Sequence, residues 1–209
     1  MTLKLSTGLR NKMMSNADDG GLPFAEIFKS GLIDVYKGSR PADADAEETA
    51  AENFLVRILL DGGDTQTSGA LVVGQTYKIV TFETGDDFAN VGGTNETGNV
   101  FTATGTTATD YSNGSTLQKV GLFFDDAVDG IISKPAEETW KGIAEASGVA
   151  SWFRFYATTQ DIGDSSGGEG LVRFEGQVST YGGQMNMPSV NVVDETSKTV
   201  DTFNISAPV

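Results

Sequence analysis

The chain has 209 residues, a formal net charge of −15, 38% hydrophobic residues and neither cysteine nor histidine. That length favours one large or two small domains, and the apolar content is enough for a packed core, so a disordered chain is excluded. Without Cys or His there is no disulfide framework, no thiolate nucleophile, no Ser-His-Asp or Cys-His arrangement, and none of the usual Zn, Fe or Cu ligand sets. The negative charge disfavours docking on phosphate backbones or anionic lipid, so neither direct nucleic-acid binding nor membrane association is expected.

The 26 glycines and the many Thr and Ser residues suit short strands joined by tight turns rather than a helical bundle. At the N-terminus, Leu3, Leu5, Leu9, Met13 and Met14 approximate a helical stripe that Ser6 could cap, with Arg10 and Lys12 on the same segment. Two readings stand for it: a helix packed on the body of the protein, or an arm that reaches a neighbouring subunit. On the second, Leu5, Leu9, Arg10, Met13 and Met14 are the candidate partner-binding residues. No apolar run has signal-peptide or bilayer-spanning length, so synthesis in the cytoplasm is expected.

After Asp18-Asp-Gly-Gly21, Phe24-Ala-Glu-Ile-Phe28 reads as one helical turn or the lead-in to a strand, and Leu32 to Lys37 as a strand. Gly38 to Thr49 contains Pro41 and the alternating acids Asp43, Asp45 and Glu47, which mark a solvated loop. Such acids could bind Ca²⁺, but the Asp-x-Asp-x-Asp-Gly spacing with a terminal Glu is absent, so a plain acidic loop is expected and no metal site is assigned. Phe54 to Leu60 is apolar enough for a strand buried on both faces.

Gly62 to Gly69 reads as a linker, and residues 70 to 120 change texture, with compact apolar knots at Tyr77 to Phe82, Phe88 to Val91, Val100 to Thr104 and Leu117 to Val120. We expect a small β module over 69–120, inserted in a loop of a larger β-sandwich formed by 1–68 and 121–209. Its glycines lack the spacing of a phosphate cradle.

The larger domain resumes at Gly121-Leu-Phe-Phe124, with Asp125, Asp126 and Asp129 around a turn and a further candidate strand at Trp140 to Ala144. Paired acids can do acid/base work, but these sit in Gly-rich loops with no apparent apolar pocket. Ser151 to Tyr156 places Trp152, Arg154 and Tyr156 on one face and Phe153 and Phe155 on the other. Leu171 to Val178 places Leu171 and Arg173 opposite Val172 and Phe174, and Asp161 to Gly170 between the two strands reads as a solvated loop. This pair is the expected centre of the sandwich. Met185 to Val193 and Thr199 to Ile205 read as closing strands, with Pro188 and Pro208 limiting the ladder. The fold class is therefore all-β: a jelly-roll-like β-sandwich with an inserted small β domain and a short N-terminal helix or arm.

Leu5-Ser-Thr-Gly-Leu-Arg-Asn11, Val35 to Thr49, Gly130-Ile-Ile-Ser-Lys134, Ser151 to Tyr156 and Gln184-Met-Asn-Met187 together resemble a family of small tailed-bacteriophage virion proteins. The resemblance covers most of residues 3 to 68 and 121 to 208. Separately, Val73 to Ile79, Asp87 to Gly92 and Gly98 to Gly105 resemble a small module that recurs as an insertion in phage structural proteins. That module usually has Thr ahead of its Asp-Phe pair and Ile-Gly-Ala after it, where this chain has Gly85-Asp86 and Val91-Gly92-Gly93.

The resemblances imply a structural role in the virion, with capsid decoration and a neck, collar or tail position both open. The implied partners are the major capsid protein or neck and tail proteins, together with further copies of the chain as a homo-oligomer. Neither resemblance brings catalytic residues or a cofactor, and no enzymatic activity is expected. A host-surface carbohydrate-binding reading rests on Trp152 and Tyr156, if these rings are exposed.

Overall fold

The computed structural model describes residues 3–16, 21–48, 50–157 and 171–206. In chain order, β1 (Lys4–Leu5) precedes helix α1 (Thr7–Met14) and the short helix α2 (Phe24–Phe28). Strands β2 (Leu32–Lys37), β3 (Phe54–Leu60) and β4 (Thr65–Gln66) follow, then β5 (Thr76–Thr81), β6 (Val100–Thr102) and β7 (Thr116–Val120). The chain continues through β8 (Ile131–Ser133), β9 (Trp140–Ile143), β10 (Gly148–Tyr156) and β11 (Arg173–Ser179). It closes with β12 (Met185–Asn186), β13 (Asn191–Val192), β14 (Ser197–Val200) and β15 (Thr202–Ser206). No helix among the described residues is long and apolar enough to cross a membrane.

The fold is all-β and sandwich-like, with two compact units: Met1–Gly62 with Gly121–Val209, and Gly63–Val120. In the larger unit the strand order is β14-β9-β3-β2-β10-β11-β12-β15-β8, with β1 on the outer edge of β11 and β13 beside the start of β10. All pairs are antiparallel except β11 with β12. The sheet curls on itself. Trp140 on β9 and Phe203 on β15 are far apart in strand order, yet their ring centroids lie 5.5 Å apart. Phe203 also meets Phe153 at 5.2 Å and Phe155 at 5.9 Å. These rings, with Phe28, Phe174, Ile33, Val35 and Ile58, fill one core. Alternation along β10 and β11 turns Phe153, Phe155, Phe174 and Val178 inward, and aromatic and β-branched residues suit that pleated surface.

The smaller unit is a four-stranded sheet, order β4-β7-β5-β6, with a separate core of Tyr77, Ile79, Phe88, Val91, Phe101 and Leu117. Phe88 to Val91, read as an apolar knot, is capped by a 3-10 turn at Ala89–Val91.

Several sequence expectations change in detail. The stretch Gly62 to Gly69, read as a linker, contains β4, which pairs with β7. Met185 to Val193 is not one strand: Pro188 interrupts it, leaving β12 on β15 and β13 on β10. Thr199 to Ile205 is broken at Asp201, so β14 and β15 sit in different parts of the sheet. Phe24 to Phe28 is the helical alternative. The Asp161 to Gly170 loop, Asp18 to Gly20 and Pro208 lie outside the described residues.

Backbone proximity sets two glycines. Gly121, where the chain re-enters the larger unit, has φ +91°, and a Cβ there would lie 2.0 Å from the carbonyl oxygen of Lys29. Gly142 on β9 faces the Arg57 carbonyl so closely that a Cβ would sit 1.8 Å from it.

Candidate functional site

The second face of β2, β10 and β11 is polar, and it is buried as well. Asp34 and Tyr36 on β2, Trp152, Arg154 and Tyr156 on β10, and Arg173 and Glu175 on β11 share it by alternation and strand register. Asp34, Arg154, Arg173 and Glu175 are all completely buried.

Each carboxylate has its own arginine. Arg57 Nε donates to Asp34 Oδ1 at 2.8 Å and Nη2 to Oδ2 at 2.9 Å, the two-pronged geometry of a fork-to-fork pair. Arg154 Nε donates to Glu175 Oε1 at 2.8 Å, and its Nη2 donates to the same oxygen. The pair is cross-strand neighbours, Arg154 opposite Glu175. Arg154 lies over Trp152, 5.7 Å from the ring centroid, and Trp152 stacks on Tyr36 at 4.3 Å. Tyr36 and Tyr156 join their hydroxyls at 3.0 Å.

A loop closes over this face. Arg173 Nε donates to the Ala44 carbonyl at 2.7 Å and Nη2 to those of Asp45 and Ala46 at 3.0 and 3.1 Å. Arg154 Nη2 reaches Ala46 O at 2.9 Å. The acids of that loop hold backbone. Asp43 Oδ1 accepts from the amides of Asp45 and Ala46 at 3.0 and 2.9 Å. Asp45 accepts from the Thr7 amide and hydroxyl at 2.8 and 2.6 Å, a carboxylate at the positive end of α1.

Burial shifts these groups. Desolvation pushes the Glu175 carboxyl above the usual carboxylate range, with the Arg154 charge and hydrogen bond opposing it. Desolvation likewise raises Asp34 against the pull of Arg57. Burial pushes the Tyr156 hydroxyl up to about 12. Three buried polar atoms on this face, Trp152 Nε1, Arg154 Nη1 and Glu175 Oε2, have no hydrogen-bond partner among the described residues. The arrangement positions and locks; it brings no nucleophile against a base.

The N-terminal candidates divide. Leu9 is fully buried in the large core, and Leu5 is half-buried in β1, paired with Phe174. Leu9 is not available at a surface, and Ser6 anchors the segment. Its Oγ caps α1 by accepting from the Leu9 amide at 3.2 Å, and it donates to Leu171 O at 2.6 Å. Arg10, Met13 and Met14 are exposed. Trp152 and Tyr156 are buried, which removes the aromatic platform of the carbohydrate-binding reading.

The smaller unit has one buried acid, Asp86. Its Oδ1 accepts from the amides of Ser112 and Asn113 at 2.8 and 2.9 Å, and its Oδ2 from that of Ser115 at 2.9 Å. Desolvation alone would raise this carboxyl, but the hydrogen bonds from Ser115 and Asn113 outweigh it and hold it far below the usual range.

Sequence reasoning missed the polar face and Asp86. The signal for the first was present: Arg154, Arg173 and Glu175 interrupt apolar strands at the strand period. For Asp86 no local pattern distinguishes it from its half-buried neighbour Asp87. No family model, curated protein or solved structure matches the chain.

Proposed function

We propose that the chain is a structural protein of a tailed-phage virion, a decoration or cement protein on the exterior of the capsid. What supports this most is how the larger unit spends its polar chemistry. Asp34 and Glu175 are buried and paired with Arg57 and Arg154, and the 41–48 loop carbonyls engage Arg154 and Arg173, so these charges serve the fold. The chain also carries a strong negative charge and a second unit with its own core. A chain with net charge −15 is repelled by packaged DNA, which favours the outer face of a shell over its lumen. In that place each copy bridges neighbouring capsid subunits and adds contact free energy against internal pressure. The sequence resemblance to phage virion proteins points the same way.

Cryo-electron microscopy of the intact particle tests the proposal. Density for this chain across the shell exterior is expected; density only at the portal vertex or tail assigns it to the neck or tail instead.

A further inference from the structure

We propose that two copies of the chain associate through one end of the large sheet, with Tyr181 at the centre of the contact. This holds whether or not the chain belongs to a virion.

Strand direction gathers the surface. β10 begins where β11 ends, because the two are antiparallel with Trp152 opposite Gln177. β13 lies beside that same start, with Val149 opposite Asn191 and Gly148 opposite Val192. β9 finishes at this end too, because β2, β3 and β9 alternate in direction from β10. Four large apolar residues emerge there: Ile143 (60% exposed), Val149 (58%), Tyr181 (94%) and Val193 (55%). Large exposed apolar residues that share one end of a sheet are candidates for an interaction surface.

Tyr181 is held out by a stiff turn. Its amide donates to Ser179 Oγ at 2.8 Å, and that hydroxyl donates back to the Tyr181 carbonyl at 2.5 Å. Gly182 takes φ +78°, the Gly183 amide donates to Asn186 Oδ1 at 3.1 Å, and Met187 N closes on Ser179 O at 3.0 Å. An aromatic ring on a pre-ordered turn loses little freedom on binding, which is what a contact centre needs.

Charge selects the occupant. Copies of a chain at −15 repel each other unless they meet where charge is absent. Gly176 to Val193 contains no Asp, Glu, Lys or Arg, the longest such run in the chain, and Ala146 to Phe153, paired beside it, contains none either. The rim carries both signs. Lys37 lies against Gly148 and Lys198 Nζ reaches Asn191 O at 3.1 Å, while Glu145, Asp194 and Glu195 are exposed nearby. A two-fold axis through such a patch keeps most of the net charge of each copy away from the contact.

Sedimentation velocity and light scattering on the full chain, from about 1 to about 100 µM at low and high salt, test this. The dimer fraction is expected to rise with concentration and with salt, because salt screens the net repulsion around an uncharged contact. Tyr181→Glu and Val149→Glu should each weaken dimerisation by about tenfold or more, with unchanged circular dichroism. Met14→Glu, on α1 beside the opposite end of β11, should leave it as it is. A monomer throughout both salt series overturns the proposal, as does a dimer that the two glutamate variants do not weaken.

Discussion

The two units bury carboxylates in opposite ways. In the larger one, Asp34 and Glu175 face arginine side chains, and desolvation pushes both carboxyls up. In the smaller one, Asp86 faces backbone amides from a single loop, and its carboxyl is held down. Burial alone therefore does not decide the direction. The number of donors aimed at the charged form does. Glu175 has one oxygen with two donors and one with none, whereas both oxygens of Asp86 accept amide hydrogen bonds. An arginine brings a further cost, since its own charge must also leave water.

The largest effect that sharpens this contrast is expected at Arg154. Arg154→Met strands Glu175 in the interior and should cost about 3–5 kcal/mol. Adding Glu175→Leu should restore most of it, because replacing both members of a buried pair by apolar groups is often neutral. Denaturant titration by tryptophan fluorescence reads this cleanly, since Trp140 and Trp152 both lie in the larger unit. Asp86→Ala should cost about 3 kcal/mol through the amides it leaves unpaired, and the loss should appear in hydrogen exchange of residues 63–120. No double variant of comparable simplicity should rescue it, because three of its donors are backbone amides.

Acidification separates the units by sign. The folded-state value of Asp86 is depressed, so its stabilisation is complete above the ordinary carboxylate range and is lost as pH falls through that range and below. The folded-state values of Asp34 and Glu175 are raised, so their ionised forms weaken the larger unit, and that penalty is relieved as pH falls through those raised values towards the ordinary range. Exchange protection followed from pH 7 to 3 should fall in 63–120 ahead of the large sheet. The smallest expected effect is Ser6→Ala, about 1 kcal/mol from the lost cap of α1, read as fraying of Thr7 to Leu9.

Much of the architecture was legible in the sequence because it rests on alternation. The faces assigned to Phe153 and Phe155 against Trp152, Arg154 and Tyr156 are those of β10, and the aromatic knots of the smaller unit became its core. What alternation could not say is whether the polar face is wet. Trp152 and Tyr156 are buried on that face, where Trp152 stacks on Tyr36, Tyr156 bonds the Tyr36 hydroxyl, and Arg154 and Arg173 reach carbonyls of the 41–48 loop more than a hundred residues away in sequence. The same limit applies to Leu9: a helical stripe gives a face but not the body it packs on. Strand ends at Pro188 and Asp201 were read through because short apolar runs on either side share one period.

The central claim is that the two units treat a buried carboxylate oppositely: desolvation dominates beside the arginines of the larger unit, and hydrogen-bond donors dominate around Asp86 in the smaller. Carboxyl-carbon NMR titration of the intact chain tests it most directly. The account predicts Glu175 titrating above the ordinary range and Asp86 remaining ionised well below it. Ordinary, solvent-like titration of both would contradict it.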